Sequence, residues 1–188
     1  MRWSLEYRSR QLKTAEPKNR RTGTNKMRDN SFIAERLSRS AAIIPDGNIE
    51  RVFPFFGPIE KMKWAEGWEP AILYPTTGKI EEELVFTTRG HGHGEDTFAW
   101  MVSKYRPEIH LVEYVVSTQN RYCVINIRCK SVSGSQSEAT VSYTYTGLND
   151  LGNEINRHAI EKMYERDLKD WEEVINHFLK TGKKLKHN

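Results

Sequence analysis

Long apolar runs are missing from this chain. No stretch approaches the ~20 consecutive apolar residues that a membrane-spanning helix needs, and no signal-peptide core follows Met1. Cysteine is scarce as well. Cys123 and Cys129 are the only two, and they stand six residues apart in one strand-like segment, a separation of roughly 20 Å that a disulfide does not span. They read as reduced thiols of a cytoplasmic protein. Also missing are a phosphate loop, a dinucleotide fingerprint and a nucleophile–base motif; the glycines of "GHGHGE" (90–95) lack the strand-to-helix context that a nucleotide site requires.

What charge there is lies unevenly. The net +4 of the 188 residues divides sharply at residue 30. Residues 1–30 hold nine Lys/Arg against three Asp/Glu, +6, which leaves −2 for the remainder. The basic character therefore belongs to the N-terminal stretch, and the folded part has no basic, aromatic-interleaved face of the kind that binds nucleic acid. Residues 1–30 lack hydrophobic periodicity and read as a disordered basic tail. They read as an extension ahead of a start at Met27 rather than as a targeting arm, and Glu6 and Glu16 count against a transit peptide. Residues 31–182 read as one domain, and 183–188 as a short basic C-terminal tail.

From Ser31 the pattern becomes that of a folded domain. "FIAERLSRSAAII" (32–44) predicts a strand ended by Pro45-Asp46-Gly47. Two short helical pieces follow over 47–70, capped by Asn48 and broken at Pro54 and Gly57-Pro58. After a Pro/Gly-punctuated link, segments 81–88, 97–105, 109–118, 121–130 and 137–146 are rich in Val, Ile, Thr and Tyr. Over 150–180, Ile155, Ala159, Met163, Leu168, Trp171, Val174, Ile175 and Phe178 recur at three- and four-residue steps, which predicts one long amphipathic helix. Asn149 or Asp150 suits its start, and Gly182 with Lys180, Lys183 and Lys184 suits its end. The order is that of an α+β domain.

Turns at 106–108, 119–120 and around Gly134 fix a register. One face then reads Val102–Val112–Ile127–Val141, Trp100–Tyr114–Ile125–Tyr143 and Phe98–Val116–Cys123–Tyr145, while Ser103, Glu113, Asn126, Arg128, Ser142 and Thr144 share the other. His110, Lys104 and Cys129 share the next inward rung, and Glu113 with Arg128 reads as a cross-strand ion pair on the outer face. An apolar face so rich in aromatics, gripping the last helix, provides for a ligand cavity.

The stretches "ERVFPFFGPIEKMKWAEGWEPAILYP" (50–75), "ELVFTT" (83–88), "TFAWMVSKYRP" (97–107), "IHLVEYVVS" (109–117) and "WEEVINHFL" (171–179) are similar to SRPBCC proteins of the polyketide-cyclase-like type, in the START-related, Bet v-like superfamily. The resemblance covers about 32–181. It implies a helix-grip fold, a curved seven-stranded antiparallel sheet around a long C-terminal helix with two short helices after the first strand. It also implies a mostly apolar cavity for a small hydrophobic or amphipathic molecule. No catalytic motif is inherited, because the superfamily has none in common, and members include carriers, aromatic cyclases and chaperone partners. A fold alone does not choose among them.

The ligand-lining candidates are Phe86, Phe98, Trp100, Tyr114, Ile125, Tyr143, Tyr145 and Trp171. Trp171 is expected to pack near the Trp100–Tyr114–Ile125–Tyr143 rung, and Trp64 and Trp68 between the short helices and the sheet. No residue is assigned as catalytic; His110 and Tyr143 are the candidates for moving a proton if the cavity is that of a cyclase or dehydratase rather than a carrier. The loop "RGHGHGED" (89–96) reads as a hairpin connection. His91, His93 and Glu95 or Asp96 sit on flexible glycines with no further ligand supplied, so no metal and no cofactor is expected. The expected partner is a small hydrophobic molecule, with neither nucleic acid nor membrane; a homodimer stays open.

Overall fold

In the computed structural model, which describes residues 32–90, 95–162 and 168–186, the chain opens with β1 (Arg36–Ile43). There follow α1 (Ile49–Val52), a 3-10 turn at Phe53–Phe56 and α2 (Pro58–Trp64). Six strands come next: β2 (Ala71–Tyr74), β3 (Val85–Arg89), β4 (Thr97–Arg106), β5 (Leu111–Ser117), β6 (Arg121–Ser133) and β7 (Gln136–Gly147). The described helical residues after them are α3 (Asp150–Lys162) and α4 (Leu168–Thr181). The basic stretch 1–30, the loop histidines His91 and His93, and Met163 lie outside the described residues.

The local chemistry explains the boundaries. The Asn48 side chain accepts from the Arg51 amide at 3.0 Å and caps α1. Pro54 and Pro58 each sit in the first turn of a new piece, where a missing N–H costs nothing. Asn149 Oδ1 accepts from the Gly152 amide at 2.8 Å at the start of α3. Gly182 ends α4 in the left-handed region (φ 68°), its amide returning to the Phe178 carbonyl at 2.8 Å.

All seven strands form one antiparallel sheet in the order β1-β7-β6-β5-β4-β3-β2. Its β5–β6–β7 centre has the predicted register: Val112, Ile127 and Val141 on one rung, Tyr114, Ile125 and Tyr143 on the next, Val116, Cys123 and Tyr145 on the third. All nine are buried. Along β7 buried and half-buried residues alternate without a break, which is the period of a strand with one face in the core. α3 packs on β7, β1 and β6, and α4 on β1 and α2.

The β4–β5 register differs from the expectation. Trp100 pairs with Val116 and Tyr114 with Val102, two residues along from the predicted Trp100–Tyr114 pair. At the turn the pairing moves by three places, Tyr105 meeting Val112 instead of Ile109, because Pro107–Ile109 makes a 3-10 turn and His110 turns back with φ 51°. A bulge between Val102 and Lys104 takes one of those places back and puts Ser103 and Lys104 on the same, outer face. Lys104 thereby leaves the inward rung assigned to it and meets Glu113 at 3.0 Å, taking the place expected of Arg128. Two further differences concern the link after α2, which contains the four-residue edge strand β2, and the segment 81–88, which is extended only from Val85. Glu83 has φ 65° there, and the Glu82 carboxylate accepts from the Tyr105 amide at 3.0 Å.

Candidate functional site

Where the inner faces of β3 and β4 meet the short helices, aromatic rings collect. Phe86, fully buried, stacks on Trp100 with centroids 5.4 Å apart. Trp68 meets both edge-on at 6.1 and 5.4 Å, and Tyr114 meets them at 6.3 and 6.0 Å. Polar ring atoms are satisfied locally: Trp100 Nε1 donates to Thr88 at 2.9 Å, Trp68 Nε1 to the Pro58 carbonyl at 2.8 Å, and Trp64 Nε1 to the Phe55 carbonyl at 3.0 Å. The Tyr114 hydroxyl donates to the Phe56 carbonyl at 2.7 Å, and burial holds its proton far more tightly than an ordinary phenol's. It is a structural tie between the sheet and the 3-10 turn.

Trp171 is buried as expected, and its ring neighbours come from the helical segment: Phe56 at 6.4 Å and Trp64 at 6.1 Å. The amine of Lys61 projects into the same junction. Its Nζ lies 4.0 Å from the Trp171 ring centre, 4.2 Å from Trp68 and 5.7 Å from Trp64. The residue is only partly buried, and among the described residues no carboxylate or hydrogen-bond acceptor meets the amine. Loss of hydration pushes its pKa down to about 7. Lys63, two residues on, instead donates to both Glu60 oxygens at 2.7 Å from an exposed position.

A buried cation lies at the β5–β6 turn. Arg121 grips Glu95 through Nε at 3.0 Å and Nη2 at 2.7 Å, with Thr118 also on the carboxylate. Its guanidinium lies 5.3 Å from the Tyr145 ring centre and 5.9 Å from Phe98. The carboxylate behind the glycine loop, considered as a metal ligand, is thus committed to an arginine. Among the described residues no three His, Cys, Asp or Glu side chains come together as a metal site. Asn120 Nδ2, Arg121 Nη1, the amide of fully buried Asn156 and Trp171 Nε1 are buried with no hydrogen-bond partner among the described residues.

The sequence-derived candidates therefore fall into three groups. Phe86, Trp100 and Tyr114 form one; Phe98 and Tyr145 flank Arg121, with Tyr143 stacked on Tyr145 at 6.0 Å; Trp171 belongs to the Lys61 junction. Ile125 is buried between Tyr114 and Tyr143 on their shared rung. His110 is level with Cys129, whose amide donates to its carbonyl at 2.9 Å. Its ring, at the rim, meets Glu50 at 3.1 Å and the edge of Phe53 at 5.4 Å. Both cysteines are free and buried, and burial pushes each thiol up to about 12. Lys61 escaped the sequence reading; the signal was its three- and seven-residue spacing to Trp64 and Trp68. An open cleft of about 450 Å³ lies elsewhere, between Phe32–Glu35 and the start of α3, and none of the ligand-lining candidates borders it.

This architecture defines a class. A seven-stranded curved antiparallel sheet closed by C-terminal helices, with short helices after the first strand, is the helix-grip fold. Solved structures with that fold match the chain. The Zhui aromatase/cyclase of Streptomyces sp. R1128 superposes with a TM-score of 0.63 at 9% identity, over 80% of this chain and 100% of that one. Ara h 8.0201 gives 0.58 at 11% identity, over 78% and 99%. Norcoclaurine synthase of Thalictrum flavum gives 0.54 at 9% identity, over 91% and 99%. At such identities the likeness is one of fold. No protein-family model and no curated protein sequence matches the chain. No helix among the described residues is long and apolar enough to cross a membrane.

Proposed function

We propose that this protein binds a small amphipathic molecule, apolar in body with a polar end, between the concave face of the sheet and the C-terminal helices. The observation that carries this reading is the set of unpartnered buried polar atoms, Trp171 Nε1, Arg121 Nη1 and both ends of the Asn156 amide, in an otherwise aromatic interior. An unmade hydrogen bond at a buried group costs about 1–3 kcal/mol. A guest with its own donors and acceptors offsets that cost, while its apolar body lies against Phe86, Trp100, Tyr143 and Tyr145. The superposed aromatase/cyclase and norcoclaurine synthase share the fold that encloses this interior. The cyclase alternative has less behind it: the Tyr114 hydroxyl is spent on a backbone carbonyl and His110 faces Glu50 at the rim. Native mass spectrometry of protein recovered from cells, followed by organic extraction, is expected to yield a bound small molecule that Trp100→Ala and Tyr143→Ala weaken. Unchanged retention in both variants would place the guest elsewhere and end this reading.

A further inference from the structure

Where α3 begins, the interior holds buried polar groups whose hydrogen bonds are unmade. Arg121 heads the inward-facing series that Cys123 and Ile125 continue along β6, and it is 7% exposed. Its Nε and Nη2 face Glu95 at 3.0 and 2.7 Å, so one edge of the planar guanidinium is spent. The donors of Nη1 point away from that edge, and among the described residues nothing accepts from them. Asn120, next to it in the turn, accepts through Oδ1 from Asn149 and leaves Nδ2 unmet. α3 closes over this corner. A Cβ on Gly152 would lie 1.9 Å from the Asn120 carbonyl oxygen, and Asn153 crowds Gly147, the residue paired with Arg121. One turn beyond Gly152 on the same helix face, fully buried Asn156 has neither end of its amide satisfied. The unmet groups of the corner are N–H donors at Arg121, Asn120 and Asn156, against a single acceptor, Asn156 Oδ1.

We propose that this corner takes an uncharged oxygen at the polar end of the guest, a ketone, ester or amide carbonyl, and disfavours a carboxylate. This rests on the ligand-binding reading above and specifies the guest's head group. Charge decides against an anion. Glu95 is buried and already neutralises Arg121, so a guest carboxylate would set a second anion against one cation away from water. The kind of unmet group decides against an amine, which would add donors where donors are in excess. A carbonyl oxygen has two lone pairs and no hydrogen, and it accepts from a guanidinium more strongly than from a neutral donor. The Phe98 and Tyr145 rings, 5.9 and 5.3 Å from the guanidinium carbon, give the adjoining apolar body flat walls.

The test is equilibrium dialysis of the full chain at pH 7 against three probes of similar shape: 2-acetylnaphthalene, 2-naphthoate and 2-ethylnaphthalene. The ketone should bind about tenfold more tightly than either of the others, the margin of a hydrogen bond from a charged donor. Glu95→Gln removes the resident anion and should reverse the order of ketone and carboxylate, so that 2-naphthoate binds the more tightly. Because the three probes are ranked in the parent chain, the result does not depend on how the variant folds. A ketone that binds the parent no more tightly than 2-ethylnaphthalene, or no more tightly than 2-naphthoate, overturns the head-group inference and leaves the binding reading intact. A folded Glu95→Gln variant that keeps the parent's order overturns the role of Glu95 and the inference with it. Binding of none of the three overturns both readings.

Discussion

Among the described residues two cations end against aromatic rings, and they are treated in opposite ways. Arg121 lies by Tyr145 and Phe98 with Glu95 clamped to it through two nitrogens, while Lys61 lies by Trp171 and Trp68 with no anion beside it among the described residues. Removing a charge from water is costly unless a partner with good geometry offsets it. At Arg121 the offset is built into the fold, and the group ties the β5–β6 turn to the residues just ahead of β4. At Lys61 the fold leaves the charge uncompensated, and the group responds by losing basicity.

Breaking the built pair should have the largest effect. Glu95→Gln keeps the shape and removes the anion, leaving Arg121 buried and uncompensated, so stability should fall by about 3–5 kcal/mol. Urea unfolding measures it. The double variant Glu95→Gln/Arg121→Met should recover much of that loss. A single-variant loss below about 1 kcal/mol would mean that water reaches Arg121 freely, and the contrast with Lys61 would then vanish.

On the other side of the contrast, Trp171→Ala removes the ring nearest the Lys61 amine. A fully packed tryptophan in this junction is worth about 3–5 kcal/mol on truncation. A markedly smaller loss together with altered ligand uptake would show that Trp171 borders an open cavity. The Trp64 and Phe56 rings that contact it are themselves buried, which favours the larger figure.

Lys61→Met tests whether the uncompensated charge is a burden. At pH 7 the variant should be as stable as the parent or more so, since an apolar side chain replaces a charge that has lost its hydration. The sign of the pH effect follows from the lowered pKa of about 7 against an ordinary 10.5. Between these values the unfolded chain holds a proton that the folded chain has released, so the stability contributed by this residue rises with pH. The parent should therefore gain on the variant from about pH 7 to 10, by at most about 1.4 kcal/mol per pH unit and by less to the extent that solvent reaches the amine. A difference between the two proteins that does not change with pH would show that the amine keeps its ordinary hydration beside the indoles.

How much of this was legible beforehand depended on whether one segment carried its own evidence. Strict alternation along β5, β6 and β7, with short turns between them, specified those rungs to the residue, because a one-residue slip would turn every buried side chain outward. Trp171 could be placed inside from its own helix stripe. Its partners could not, since Phe56 and Trp64 belong to a segment whose path depends on Pro54, Gly57 and the Tyr114 hydroxyl. The Arg121–Glu95 pair and the Lys61 cage were hidden for the same reason: each joins side chains from separate elements, and a charged residue in a sequence gives no sign of whether its head will be hydrated.

The smallest predicted effect concerns the bulge that moved Lys104 outward. Burial tends to raise the Glu113 carboxyl, but Lys104, Asn126 and Ser103 together hold it below the usual carboxylate value. Lys104 is more than half exposed, so Lys104→Gln should cost less than about 1 kcal/mol, and the informative measurement is the titration of Glu113 followed by carboxyl NMR. A lowered folded-state pKa contributes stability above the unfolded value and loses it as pH falls through the folded one. Lys104→Gln should therefore raise the Glu113 midpoint and shift the onset of that loss to higher pH. Arg128→Gln should leave the midpoint where it is, because Arg128 lies opposite Leu111 rather than Glu113. If Arg128 moves the midpoint and Lys104 does not, the bulge is misplaced and the unbroken alternation read from the sequence is correct after all.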